Sequence, residues 1–226
     1  MMKRIIWLGQ AGVLFEFDNC TVMVDPYLSD SVKEIEPQNY RRTPVDESFF
    51  NIKPHILVFT HAHLDHYDPE TVKHFITKKS ALTVLSPTSV WSKVREHGGN
   101  NNYVLFNRHT RWTERGVTFT AVKACHSDPD AIGVIIDDGE RKYYITGDTL
   151  YNEDIFADLP DDIYALFLPV NGVGNNMNMA DAAYFAKKTK VERVIPIHIG
   201  MFDNKSAEDF EVSNKIIPEI YKEIEL

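Results

Sequence analysis

Seven residues constrain this chain more than any others. Thr60-His61-Ala62-His63-Leu64-Asp65-His66 follows directly on the apolar run Ile56-Leu57-Val58-Phe59. A continuous run of this kind reads as a strand buried on both faces, the type found in covered parallel sheets. Three of the nine histidines and a carboxylate thus fall within six positions at the end of a core strand. A strand end is a rigid platform, so side chains there are aimed with little ordering cost. Imidazole suits zinc, iron and manganese, and carboxylate suits the harder ions. The small Ala62 lets His61 and His63 converge on one ion, while Asp65 and His66 point elsewhere as the chain turns. A polar turn with chance histidines is a poor account of that density. The segment reads as one turn feeding two metals.

The rest of the chain supplies the scaffold. Ile5–Leu8, Val13–Phe17 and Thr21–Val24 read as strands, separated by Gly9-Gln10-Ala11-Gly12 and Asp18-Asn19. Asp25-Pro26 stops the third. The polar stretch from Ser29 to Glu47, with Pro37 and Pro44, is a long loop, and such loops in compact domains are often functional. Pro69–Lys78 is expected to be a helix with Pro69 in its first turn. A strand at Leu82–Leu85 and a helix at Ser89–Glu96 follow. The second half repeats the theme, with strands at Val117–Lys123, Ile132–Ile136, Lys142–Ile145 and Ile163–Leu168, a helix at Ala180–Lys188 and a strand at Val194–Ile197. The tail from Ser206 to Glu223 reads as a helix kinked at Pro218. Two similar α/β halves in a single domain over residues 1–226 are the expectation.

Charge and cysteine usage narrow the partners. The formal net charge is −9 and the sequence pI about 5.4, which argues against nucleic acid and against an anionic membrane. Cys20 and Cys125 are too few for a disulfide framework and fit a reduced, cytoplasmic setting. Lys3-Arg4 before Ile5-Ile6-Trp7-Leu8 mimics a signal peptide, but Gln10, Glu16 and Asp18 interrupt the run and no small-residue cleavage site follows. No stretch approaches the apolar length of a membrane helix. A homo-oligomer is compatible with all of this.

The spacing of His61, His63, Asp65 and His66 resembles the HxHxDH signature of the metallo-β-lactamase superfamily, and the resemblance extends over nearly the whole chain. It implies a four-layer αβ/βα sandwich with the site at one edge of two sheets. Later ligand positions occur in matching order: His126 after the strand Val117–Ala124, Asp148 in Thr146-Gly147-Asp148-Thr149, and His198 in Pro196-Ile197-His198. By that match His61, His63 and His126 hold one divalent ion, Asp65, His66 and His198 hold another, and Asp148 bridges both. Zinc or manganese leads, with iron third. His55, His74 and His97 are assigned surface or capping roles, and His109 stays outside the site.

Several flanking stretches resemble the branch containing L-ascorbate-6-phosphate lactonase: Trp7 to Gly12, Asp25-Pro26-Tyr27-Leu28-Ser29, Pro169-Val170-Asn171-Gly172, Asn178-Met179, and His198-Ile199-Gly200-Met201-Phe202. The resemblance implies a metal-bound hydroxide attacking the carbonyl of a small anionic lactone or ester, such as a sugar-phosphate lactone. Asp65 or Asp148 would orient the water or carry its proton. Asn178 has two readings, as an amide donor to a substrate anion or as a helix cap. Tyr27, Arg41 and Arg42 have two readings, as substrate contacts reaching from the long loop or as solvated side chains, and the solvated reading is preferred. A phosphodiesterase or nuclease of the same superfamily is the runner-up, and a metal-stabilised binding module with a closed coordination shell the third. Oxygen-reducing iron relatives resemble HxExDH, and His63 stands where they would carry glutamate.

Overall fold

Alternation within single strands decides the layering. In the computed structural model, which describes residues 2–226, the first strands form an antiparallel meander: β1 (Met2–Gly9), β2 (Gly12–Phe17) and β3 (Thr21–Val24). They continue into parallel β4 (Ile56–Val58), β5 (Thr83–Ser86) and β6 (Asn102–Leu105), giving a six-stranded sheet in chain order. The second sheet has the same plan. Antiparallel β7 (Arg111–Glu114), β8 (Val117–Lys123), β9 (Ile132–Asp137) and β10 (Lys142–Ile145) lead to parallel β11 (Ile163–Pro169) and β12 (Arg193–Ile197). Four helices complete the fold: α1 (Val32–Ile35), α2 (Pro69–Phe75), α3 (Thr88–Val94) and α4 (Met179–Thr189).

On β2, Val13, Phe15 and Phe17 point one way and Leu14 the other, as the two-residue period of a strand requires. The first set joins residues of the second sheet: the Phe15 ring lies 5.7 Å from both Tyr143 and Phe167. The opposite faces carry the helices. Leu57, Phe59 and Val84 pack with Val72, Phe75, Val90 and Val94, while Tyr144, Leu166 and Leu168 pack with Ala182, Phe185 and Ala186. Helix, sheet, sheet, helix is the four-layer αβ/βα sandwich the motif implied. The helix starts are locally encoded. Asp68 accepts from the amides of Glu70 and Thr71 ahead of Pro69, and Asn178 accepts from the amide of Asp181.

Three features differ from expectation. The outer strands β6 and β7 were not foreseen; both are short, with no fully buried position, so they lack the apolar signature. The loop from Ser29 to Glu47 contains the single turn of α1. The tail is not a helix. Its amides bond outer strands instead: Ile216 N–H donates to Val194 O at 2.8 Å, Tyr221 N–H to Trp7 O at 2.7 Å and Ile224 N–H to Ile5 O at 2.8 Å. Strands β1 and β12 end their sheets and offer unpaired backbone groups. The apolar residues of the tail also face three directions, Ile216 and Ile220 towards the inter-sheet core, Ile217 towards α4 and Tyr221 towards the other helical layer. One helical stripe does not serve all three.

Candidate metal centre

The parallel strands all end on one side, where ligands of open α/β sheets collect. The turn after β4 carries His61, His63, Asp65 and His66; the segment after β8 brings His126; the turn after β10 brings Asp148; and His198 follows β12 directly. All seven foreseen ligands meet. His61, His63 and His126 form one triad of potential ligand atoms, and Asp65, His66 and His198 form another. In the first, His63 Nδ1 lies 3.0 Å from both His61 Nε2 and His126 Nε2. In the second, His198 Nε2 lies 3.3 Å from His66 Nε2 and 3.3 Å from Asp65 Oδ2. A tetrahedral ion with bonds of about 2.0–2.1 Å sets its ligands roughly 3.3 Å apart, so both triads have the right span.

Asp148 stands between them. Its Oδ1 is 3.3 Å from His66 Nε2 and 3.2 Å from His198 Nε2, and its Oδ2 is 3.9 Å from His126 Nε2. Asn176 Nδ2 donates to Oδ2 at 2.8 Å, while Oδ1 is buried without a hydrogen-bond partner. A carboxylate oxygen left this way is costly unless a cation meets it. That oxygen, within 3.3 Å of two imidazole nitrogens of the second triad, fits an ion there, while Oδ2 reaches towards His126 of the first.

Residues the sequence did not single out hold the ligands in place. Asp25 is fully buried, accepts from the Thr60 amide at 2.8 Å and lies 2.8 Å from His66 Nδ1. With Nδ1 donating to Asp25, Nε2 is the free ligand atom, the usual carboxylate–histidine pairing at metals. Gln10 Nε2 donates to Asp65 Oδ2 at 2.8 Å. Asp128 accepts from the Ala62 amide at 2.9 Å and from Ser89 Oγ at 2.7 Å, bracing the turn between His61 and His63. Gln10, Asp25 and His198 all have positive φ, at 49°, 43° and 58°, backbone strain of the sort that gathers at working sites. Gly147 is required beside Asp148: at φ 61°, a Cβ there would meet Ile132 O at 2.8 Å and Thr60 Cβ at 2.9 Å.

Electrostatics divide the triads. Burial, helped by the neighbouring His66, holds His61 well below the usual imidazole range, so its ring is neutral and ready to ligate. Burial also opposes charge on His66 and His198, but nearby carboxylates, Asp148 foremost, outweigh it and raise both, His198 to about 9. In return those histidines hold Asp148 and Asp65 below the carboxylate range against their own burial. Without an ion, protons take the cation's place in the second triad.

The remaining expectations sort themselves by contact. Asn178 is exposed, caps α4 and does not line the cavity at the centre; Asn171, Asn175 and Asn176 of the same loop do. Tyr27 and Arg41 are buried rather than solvated, Arg41 donating to Tyr27 O at 2.6 Å and to Tyr221 Oη. Arg42 lies over Tyr40. His55 Nδ1 accepts from the Thr21 amide, His74 stacks on Phe50, and exposed His109 pairs with Asp158.

The beta-lactamase superfamily domain matches residues 21–199, the span that holds every one of these ligands. The chain belongs to the metallo-β-lactamase superfamily. Within the superfamily it is similar to a metal-dependent hydrolase of Thermoplasma acidophilum, 28% identical over 99% of this chain and 98% of the relative. A solved structure from Veillonella parvula, described as a possible metal-dependent hydrolase, shares the fold with a TM-score of 0.80 at 18% identity, covering 100% of both chains. A metallo hydrolase from Ignicoccus hospitalis does so with a TM-score of 0.78 at 19% identity, over 99% of this chain and 97% of that one.

Proposed function

We propose that this protein is a metal-dependent hydrolase that cleaves the carbonyl–oxygen bond of a small ester or lactone. The observation that carries the reading is Asp148, whose Oδ1 faces His66 and His198 and whose Oδ2 faces His126, between two clusters of potential ligand atoms beside an open cavity of about 650 Å³. Its volume falls in the range of small-molecule sites. When bound, divalent ions at these triads supply a Lewis acid and a water that ionises near neutral pH. In the net reaction the water oxygen bonds the carbonyl carbon and the acyl–oxygen bond breaks. One water proton ends on the departing oxygen.

The chain's own part is positioning. Asp65 and Asp148 both line the cavity and stay anionic at neutral pH, so they accept hydrogen bonds from a water and fix its orientation. Asn176 donates to one oxygen of Asp148 and Gln10 to one oxygen of Asp65, which fixes the orientation of each carboxylate. His63 and His198 also line the cavity. A binding module with a closed shell would bury its ligands away from any cavity, and four ligands facing one favour catalysis. The lactone form of the proposal is supported by the segments resembling the lactonase branch.

The test is turnover by protein stripped of metal and reloaded separately with zinc, manganese and iron, offered lactones, carboxylic esters and phosphodiesters. Hydrolysis of the first two classes, lost in Asp148→Asn, is the expected result. Activity confined to phosphodiesters overturns the carbonyl reading in favour of the phosphodiesterase. A fully loaded protein that hydrolyses none of the three removes the enzyme reading.

A further inference from the structure

The walls of the cavity say what kind of molecule enters it. Beyond the ligands and the asparagine amides, much of the lining is apolar: Val32, Ile35, Leu64, Val173 and Phe202. Val32 and Ile35 lie three apart on α1 and so share a face. Val32, Leu64 and Phe202 belong to one packed cluster, which makes a continuous apolar wall beside Asp65. Ile35 and Val173 come from different segments of the chain, yet both are exposed large aliphatic residues at this one cavity, at 73% and 59%. Apolar surface left open next to a site marks a place where a ligand covers it.

Charge points the same way. Among the described residues lining the cavity there is no lysine or arginine, and besides the ligand carboxylates the charged side chains are Glu36 and Asp203. Asp203 is paired with Lys205 at 3.6 Å, which leaves Glu36 as the outward charge, held by Asn39 at 2.6 Å. A phosphate or carboxylate placed away from the scissile bond would meet neutral amides, aliphatic side chains and Glu36, with no lysine or arginine of the lining to balance its charge. Recognition of such groups ordinarily draws on arginine, lysine or a helix N-terminus, and the N-terminal cap of α4, Asn178, is not among the residues lining the cavity.

We propose that the substrate is uncharged apart from its reacting group and carries an apolar chain or ring of several carbons, which lies against Val32, Ile35, Leu64, Val173 and Phe202. The inference rests on the hydrolase reading for the identity of the reacting group, and it replaces the small anion expected from the resemblance with a neutral, hydrophobic ester or lactone.

Two measurements on the metal-loaded protein test it. The first is kcat/KM for a series of neutral γ-lactones with alkyl side chains of one to eight carbons, alongside the same lactones bearing a terminal carboxylate. Burial of each methylene should raise kcat/KM about two- to fourfold until the wall is covered, and the terminal carboxylate should cancel the gain. Ile35→Lys and Val173→Lys should each flatten the series, while Ile35→Leu should keep it. Both positions are exposed, so matching thermal unfolding is expected for all variants. The second is calorimetric binding of straight-chain alkyl hydroxamates with and without a terminal carboxylate, which needs no turnover. Tighter binding with chain length supports the inference even where the lactones prove to be the wrong reacting group. Turnover or binding that is indifferent to chain length, or that favours the carboxylated member, overturns it and leaves the hydrolase reading standing.

Discussion

Asp25→Asn is the sharpest probe of how this centre is held. The carboxylate serves three groups, with the Thr60 amide on Oδ1 and both the Thr60 hydroxyl and His66 Nδ1 on Oδ2. An asparagine has nearly the same shape and one acceptor. With its oxygen on the Thr60 amide, its NH2 faces the Thr60 hydroxyl, which can turn and accept, and His66 Nδ1, which carries a proton. Two donors then oppose each other, and the relief available is the other tautomer of His66. That tautomer places the proton on Nε2, the atom aimed at Asp148 and His198, and a protonated nitrogen does not ligate. Losing such a support typically lowers metal affinity about 10- to 100-fold, or roughly 1.4–2.8 kcal/mol. The loss should fall mainly on one ion, because Asp25 hydrogen-bonds His66 directly, whereas His61, although within 4.8 Å of Asp25, is hydrogen-bonded to it only by way of the Thr60 hydroxyl. Competition with a chromophoric chelator should therefore resolve one equivalent of zinc bound as in the parent and one weakened. Asp25→Ala is less informative, since three buried donors lose their acceptor at about 1–3 kcal/mol each and the fold loosens as well. Two equivalents bound with unchanged affinity in Asp25→Asn would refute the tautomer argument.

Gly147→Ala forces a Cβ into Ile132 O and Thr60 at a left-handed φ; a cost of about 2 kcal/mol or more, read as a fall in Tm of at least ~4 °C, is expected, with weakened binding of both ions because Asp148 moves. Asn178→Ala removes a helix cap at an exposed position, so Tm should drop by the equivalent of about 1 kcal/mol while KM stays unchanged; a change in KM alone would favour the substrate-binding role over the cap. Stability of the chelated protein should depend on pH in a definite direction. His66 and His198 are raised in the folded state, so their contribution is fully present below the unfolded value near 6.5 and is lost as pH rises through the folded value, about 9 for His198. Thermal unfolding in chelator should accordingly give a Tm that falls from pH 6.5 to 9, and a Tm that rises over that window would contradict the proton-for-metal exchange. The loaded protein should show the opposite trend in affinity, because binding displaces those protons.

The ligands were legible because their chemistry is dense in the sequence. Three histidines and an aspartate around Ala62 have few structural uses, and the resemblance of that turn to the superfamily signature implied His126, Asp148 and His198, which occur in matching order just beyond apolar strands. Asp25 was hidden by its neighbour: Asp-Pro after Val24 is an ordinary strand stop, and only the fold shows the side chain turned inward to His66. Gln10 and Asn176 lie in loops whose composition suits any turn, so nothing local tied them to Asp65 or Asp148. The layering followed from apolar runs and their periods. The weak points were elements whose residues have no single buried face: β6 and β7 at the sheet margins, and the tail, expected to be a helix, whose isoleucines serve different layers. The substrate was less legible, since an amide-rich loop does not disclose which other walls it will face.

The tail has a mechanical consequence. Two stacked sheets can slip past one another along their common interface, and slip is what a site built from both can least tolerate. Asp65 and His66 come from one sheet and His198 from the other, with nitrogen and oxygen atoms 3.3 Å apart. At one margin β6 and β7 are joined covalently through residues 106–110. At the other margin no such link joins β1 to β12, but the tail fastens to Val194 on one and to Ile5 and Trp7 on the other. The sandwich is thereby closed like a flattened tube, with peptide bonds down one side and a laced row of hydrogen bonds down the other. Shear is opposed at both sides, and the tail joins the His198 N–H to Gln10 O hydrogen bond at the site itself, 2.9 Å, in keeping the two halves of the centre in register.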